Sequence, residues 1–238
     1  MENLPPSFHD TNLTINWKNR LQSEMPFIVS HIEKTRAKDI CDIGGGIGMH
    51  SYYLQEQGFN ILLVDPDEES LKMAKNIGVK NTFQSDFMNF HKLCNKFDFI
   101  FSLGNAFSNV QKHELNDFAK ICYNALNDTG QFFVQILNYE ALQKRNNFIL
   151  ASRFEQAKHH LRFIEPCNKD KMEMHYIISN HDNGEINISR HYFTTHYQDE
   201  IQRAGTKAGF SDVIFYSDYK GSDYSKTDGR DLIFVWVK

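Results

Sequence analysis

The chain has 238 residues and a mass of 27.8 kDa, with 41% hydrophobic and 24% charged residues, a balance that excludes extended disorder. A chain of this length buries roughly 70% of the surface its unfolded form exposes, so its core needs neither disulfides nor a structural metal. The net charge of −4 and the scattered Lys and Arg residues leave no phosphate-backbone footprint, so no nucleic-acid partner is expected.

The first predicted element is an amphipathic helix over 14–35, carrying Ile15, Leu21, Met25, Ile28, Val29 and Ile32 at helical spacing, with Thr11 or Asn12 as N-cap and a bend near Pro26. Short apolar runs then alternate with amphipathic segments: strand 40–43, helix 49–57, strand 61–64, helix 68–76, a strand ending near Gln84, strand 97–103, helix 112–126 and strand 131–137. Such a βαβα rhythm predicts a doubly wound parallel sheet. Beyond Asn138 the rhythm changes to strand-like runs at 154–165, 172–180 and 186–194, the last two joined by the hairpin signal Asn183-Gly184. The segments between them are too short for helical crossovers, so an antiparallel β insertion at 150–195 is expected. A helix at 198–208 and strands at 213–219 and 232–237 close the chain, which reads as a single domain.

Cys41, Cys94, Cys122 and Cys167 form no C-x-x-C pair and read as reduced core residues, which fits a cytoplasmic compartment. The beginning of the sequence lacks the regions of a signal peptide, and no apolar run approaches the ~20 residues of a membrane helix, so no membrane partner is expected. The 11 histidines include no H-E-x-x-H pattern, and no metal site is expected.

The densest chemical signal is Cys41-Asp42-Ile43-Gly44-Gly45-Gly46-Ile47-Gly48-Met49-His50, a glycine-rich turn from strand to helix. Without Cβ atoms such a loop lets a ligand lie against backbone N–H groups. Read as G-x-G-x-x-G it fails at Met49, whereas D-x-G-x-G-x-G fits through Asp42, Gly44, Gly46 and Gly48. Asp65 ends the second strand about 20 residues further on, where a carboxylate accepts the hydroxyls of a ribose; capping of the next helix is its other reading. In Gln84-Ser85-Asp86-Phe87 the carboxylate suits an adenine amino group and the next N–H a ring nitrogen, with an N-cap as the alternative.

Together with Phe97-Asp98-Phe99-Ile100 and Leu126-Asn127-Asp128-Thr129-Gly130, these motifs resemble, in the right order, those of class I S-adenosylmethionine-dependent methyltransferases. The family usually has Lys-Pro-Gly-Gly at residues 127–130, a departure confined to a turn. The resemblance implies a Rossmann-like, seven-stranded, mostly parallel α/β sheet of strand order 3-2-1-4-5-7-6, with S-adenosylmethionine as cofactor. A narrower resemblance, to the glycine N-methyltransferase-like branch and its small-molecule N-methyltransferase relatives, lies in residues 15–21, in Pro26-Phe27, in Ser102-Leu103-Gly104-Asn105-Ala106-Phe107 and in Leu137-Asn138-Tyr139. It implies that Arg20 binds the methionine carboxylate of the cofactor and that Leu103, Gly104 and Asn105 belong to the cofactor site. A guanidinium fork suits a carboxylate; a solvated helix Arg is the alternative.

For an amine acceptor the nitrogen must lose a proton, and His196, Tyr197 and Tyr139 are the candidate catalytic groups; Phe107, Tyr192 and Phe193 are candidate pocket walls. The expected activity is methyl transfer to a small molecule, first to an amine nitrogen and second to a hydroxyl oxygen, by a monomer or homodimer whose insertion acts as a lid. A nucleotide-dependent oxidoreductase is the rival that shares the glycine loop, and a non-catalytic binding protein shares the whole fold.

Overall fold

A computed structural model describes residues 15–93, 95–144 and 149–238. The first helix, α1 (Trp17–Thr35), buries Met25, Ile28 and Ile32 on one face and holds Pro26 within its length. Asn16 caps it by accepting from Asn19 N at 3.1 Å; the expected caps Thr11 and Asn12 lie outside the described residues.

The alternation then follows as β1 (Asp39–Ile43), α2 (Met49–Glu56), β2 (Asn60–Asp65), α3 (Glu68–Ile77), β3 (Thr82–Gln84), β4 (Phe97–Ser102), α4 (Leu115–Ala125) and β5 (Leu126–Leu137). A short helix α5 (Tyr139–Leu142) leads into the insertion strands β6 (Ile149–Glu155), β7 (Lys158–Asn168), β8 (Lys171–Asn180) and β9 (Ile186–Thr194). The chain ends in α6 (Gln198–Ala208), β10 (Asp212–Tyr216) and β11 (Asp231–Val237).

Seven strands form one sheet in the order β3-β2-β1-β4-β5-β11-β10, parallel except where β11 runs against β5 and β10 against β11. This is the expected doubly wound order with its reversed last pair. The central strands are covered on both sides, which is why β4 and β11 are nearly continuous apolar runs. Phe132, Val134, Phe234 and Trp236 join Phe107 and Phe118 on one side, while Phe99, Phe133 and Val235 join Met25, Ile28 and Ile32 on the other.

Two departures from the sequence reading change an element's kind. The expected turn at 127–130 is absorbed into β5 as an irregular stretch, with Thr129 at φ 67° and Asn127 Nδ2 donating to Asp98 Oδ1 at 2.7 Å. The expected single strand at 154–165 is a hairpin, β6 and β7, turning at Gln156 with φ 51°. No Gly or Asn marks that turn, and Gln seldom adopts a left-handed backbone, so composition does not announce it.

The insertion is therefore a four-stranded antiparallel sheet, β6-β7-β8-β9. It is no loose flap, because Ile164, Met172, Met174 and Phe193 are buried in the same apolar cluster as Phe107, Tyr139 and Leu142. Cys41 and Cys122 are buried, but Cys167, expected in the core, is exposed; Cys94 lies outside the described residues. Among the described residues no helix is long and apolar enough to cross a membrane.

Candidate functional site

The site gathers at the C-terminal ends of the parallel strands, where ligands bind in open α/β sheets. The glycine loop leaves β1 with Gly44, Gly46 and Gly48 at φ 72°, 56° and 74°. A Cβ on Gly44 would stand 2.7 Å from the Ala106 Cβ, and one on Gly45 would stand 2.3 Å from the Leu63 Cδ1 and 2.5 Å from an Asp42 oxygen. At Gly48 a Cβ would meet Leu63 at 2.9 Å, so these three glycines serve close packing. Gly46 differs, because no atom lies within 4 Å of a Cβ built there. Its face is open in the way a backbone cradle for a ligand requires.

Asp42 sits beneath this loop, 1% exposed, accepting from the Ser51 hydroxyl at 2.7 Å. Burial, reinforced by the nearby Asp65 charge, pushes its carboxyl up to about 7 despite that hydrogen bond. Asp65 accepts from Gly46 N through Oδ2 at 2.8 Å and from Asp67 N through Oδ1 at 2.9 Å, so it braces the loop at the end of β2. Helix capping, its alternative role, falls to Asp67, which accepts from Ser70 N. Burial pushes the Asp65 carboxyl up to about 6, against its two backbone donors.

Arg20 reaches the same edge from α1. Its Nε donates to Glu24 Oε1 at 2.8 Å, and its Nη2 lies 3.3 Å from where a Cβ on Gly104 would be. Glu24 in turn meets His50 Nε2 at 2.8 Å, so one carboxylate on α1 ties Arg20 to α2. Gly104, at φ 66°, donates its N–H to Gln135 Oε1 at 2.8 Å, and Gln135 Nε2 donates to Asp231 Oδ1 at 2.8 Å. Leu103 beside it is buried. Glu24, His50, Gln135 and Asp231 escaped the sequence reading. Gln135 had a signal, a lone polar residue inside the apolar run 132–137.

The third strand's loop behaves differently from its motif. Both Asp86 oxygens are engaged locally, Oδ1 by Met88 N and Asn89 N and both by the Asn89 side chain, as in the capping alternative. The Phe87 ring packs under Gly44 and edge-on to Phe107 and Phe118.

The three expected catalytic groups are structural. Tyr139 is fully buried, and its hydroxyl donates among Asn105 Oδ1 at 3.0 Å and Ser108 Oγ at 2.9 Å, with burial holding it far above the usual phenol range. Asn105, at φ 71°, also accepts from Leu137 N at 2.9 Å, so it knots the loop after β4 to the end of β5. His196 is sealed under the Phe107 ring with Nε2 2.9 Å from Val110 O, and burial depresses it to about 4. Tyr197 donates to Lys169 O at 2.6 Å, accepts from Gln143 at 2.8 Å and lies under the Lys112 ammonium. A group acting on an acceptor must touch it, and these three are occupied elsewhere. The pocket-wall expectation fails too: Phe107 is core, Phe193 joins the insertion to the core, and Tyr192 is 55% exposed.

Glu165, Glu173 and His175 bring ligand atoms within 4.8 Å of one another, where the sequence had suggested no metal group. His175 Nε2 stands 2.8 Å from Glu165, within hydrogen-bond distance, and 3.8 Å from Glu173.

Residues 40–130 match a family model described as a methyltransferase domain. A glycine/sarcosine N-methyltransferase of Halorhodospira halochloris is 26% identical over 94% of this chain and 84% of its own length. An S-adenosylmethionine-dependent methyltransferase from Clostridium acetobutylicum superposes with a TM-score of 0.76 at 18% identity, covering 96% of this chain and 94% of that one. The S-adenosylmethionine-bound amino pentose methyltransferase CalS10 from Micromonospora echinaspora gives 0.74 at 14% identity, covering 99% of both chains. At these identities the two structures speak for the shared fold.

Proposed function

We propose that this chain, a class I S-adenosylmethionine-dependent methyltransferase, moves the methyl group of its cofactor onto an amine nitrogen of a small molecule. The oxidoreductase reading of the glycine loop thereby lapses.

The residues present fit this cofactor. Gly46 offers an uncovered backbone, and Asp65, whose burial disfavours its charge, gains from hydroxyl donors such as those of a ribose. Arg20 carries its guanidinium to Gly104 and suits the cofactor's carboxylate. In this reading Gly44, Gly48 and Asp42 shape the loop, Leu103, Gly104 and Asn105 form the wall opposite it, and Asp86 and Phe87 flank the adenine.

Bound S-adenosylmethionine supplies a methyl group already made electrophilic by its sulfonium. The protein's work is then to hold the nucleophile in line, as proximity and orientation demand, and to exclude water. The insertion at 149–194 suits the second task as a roof over the crevice. The observation that carries the choice of nitrogen is the sealing of His196 and Tyr139. A hydroxyl needs a base near it as it attacks, whereas an amine that sheds its proton to water on entry needs none, and a partly dry site favours its neutral form. The similarity to a glycine/sarcosine N-methyltransferase over most of the chain points the same way.

The test is to incubate the purified protein and cofactor with a panel of small amines and phenols, following S-adenosylhomocysteine release and locating the methyl group by mass spectrometry. Methyl transfer to nitrogen is expected. Transfer confined to hydroxyl oxygen would overturn the reading.

A further inference from the structure

An antiparallel sheet with one face on a core alternates apolar residues inward and polar residues outward. The insertion departs from that rule. Along β8, Met172, Met174, Tyr176 and Ile178 face the core side, all under 9% exposed, and register sets Ile164 and Arg162 of β7 opposite Met174 and Tyr176. The alternate residues make the outer face, which register resolves into rows across the strands. One row is Phe154, His159, Ser179 and Ile186, and the next is Ser152, Leu161, Ile177 and Ile188. A third begins with Ile149 and Phe163, and beyond it Glu165, Glu173 and Tyr192 stand at the far end.

Six large apolar side chains among the described residues stand well out in solvent, and all but Ile77 are on this one face. Scattered singly they would need no explanation, but a contiguous group does. Ile149, Phe154, Ile186 and Ile188 are between 55% and 66% exposed and together show on the order of 500 Å² of apolar surface, near the upper limit for the largest patch of a monomer. Two rings are already fixed. Phe154 lies flat on His159 with centroids 4.2 Å apart, and Phe163 flat on His175 at 4.4 Å. These cross-strand stacks hold the rings before anything meets them, which lowers the ordering cost of association.

We propose that this outer face is the interface between two copies of the chain, packed sheet against sheet about a two-fold axis. Charge and area select a second copy as the occupant. The first two rows hold no carboxylate, ammonium or guanidinium, so identical surfaces meet there without like charges opposed, although each chain carries a net charge of −4. The same lack of Lys and Arg removes the attraction that an anionic lipid surface exerts. Two such patches bury about 1,000 Å² of apolar surface between them, and their polar rim brings the contact into the range of about 1,200–2,000 Å² of stable interfaces. A two-fold contact of this kind is isologous, each patch meeting its own copy. Glu165, Glu173 and Tyr192 form part of the rim, where contacts contribute little. The inner face of the same sheet is packed on the core, so pairing through the outer face leaves the glycine loops of both copies uncovered.

Sedimentation velocity over a dilution series tests the wild type without any variant, and a species of twice the 27.8 kDa chain mass is expected. Ile188→Glu and Phe154→Glu each bring a carboxylate into the contact and should weaken pairing at least about hundredfold, because a charge buried without a partner is costly. Both positions are exposed in the single chain, so S-adenosylhomocysteine affinity should be unchanged, which also shows that the variant has folded. Tyr192→Ala at the rim should pair as the wild type does. A wild type that is monomeric at every concentration would overturn the proposal, as would wild-type pairing by either folded Glu variant. A monomer that floats with phosphatidylcholine vesicles would give the face to lipid instead, and a monomer that pairs only after removal of residues 1–14 would give it to that segment; both outcomes overturn the proposal.

Discussion

Arg20 of α1, packed on the seven-stranded sheet, and Arg162 of the four-stranded insertion are held in opposite ways. Arg20 is clamped by Glu24, which His50 clamps in turn, so its guanidinium is aimed before any ligand arrives. Among the described residues Arg162 has no such counter-ion, and the neighbour that favours its charge is the Tyr176 phenol opposite it. The core side is ordered by its own ion pair, whereas the insertion leaves this guanidinium with no carboxylate among the described residues.

The two largest expected effects test how rigid the core side and the insertion are. Gly45→Ala would drive a Cβ into Leu63 and Asp42, and overpacking of this kind should cost about 3 kcal/mol, read as a lower Tm. Met174→Ala probes the insertion in the same way. Its side chain is 5% exposed and shared with the core cluster, so a loss of about 2–5 kcal/mol is expected. An unchanged Tm would show that the insertion is only draped on the core.

Asp65→Ala leaves the fold's main packing in place and should weaken S-adenosylhomocysteine binding by at least about tenfold, or ~1.4 kcal/mol, in a calorimetric titration. Equal affinity would remove Asp65 from the cofactor site. A smaller effect concerns pH. Burial holds Asp42 at about 7 and Asp65 at about 6, both above the ordinary 3.8, so the folded chain keeps protons that the unfolded chain gives up. Their contribution to stability is therefore fully present below about pH 4 and is lost as pH rises through about 7. Asp42→Asn should flatten the decline in Tm between about pH 5 and pH 8; an identical slope would contradict the assignment. The smallest effect is Tyr192→Ala on the insertion's outer face, where the side chain is 55% exposed and a change within about 0.5 kcal/mol is expected.

Much of the core side could be read without coordinates. The loop 44–48 and the alternation of strands and helices depend on local patterns, where a glycine needs a positive φ or a strand needs a covered face, while the strand order followed from the family resemblance. Legibility stopped where a residue's role depends on a partner distant in sequence. Tyr139 and His196 have side chains able to do proton chemistry, and nothing local reveals that Asn105, Ser108 and Val110 claim them. Gln135 and Asp231 likewise become a relay only when β11 pairs with β5.

By itself the amino-acid sequence determined the class of sheet, the glycine-rich loop and the existence of an antiparallel insertion, because hydrophobic period, glycine placement and a hairpin dipeptide act over a few residues. Tertiary structure alone decided which candidate groups were walled into the core. Burial and ion pairing are properties of surfaces brought together from strands far apart, and a one-residue difference in register would have turned Arg162 to the outer face.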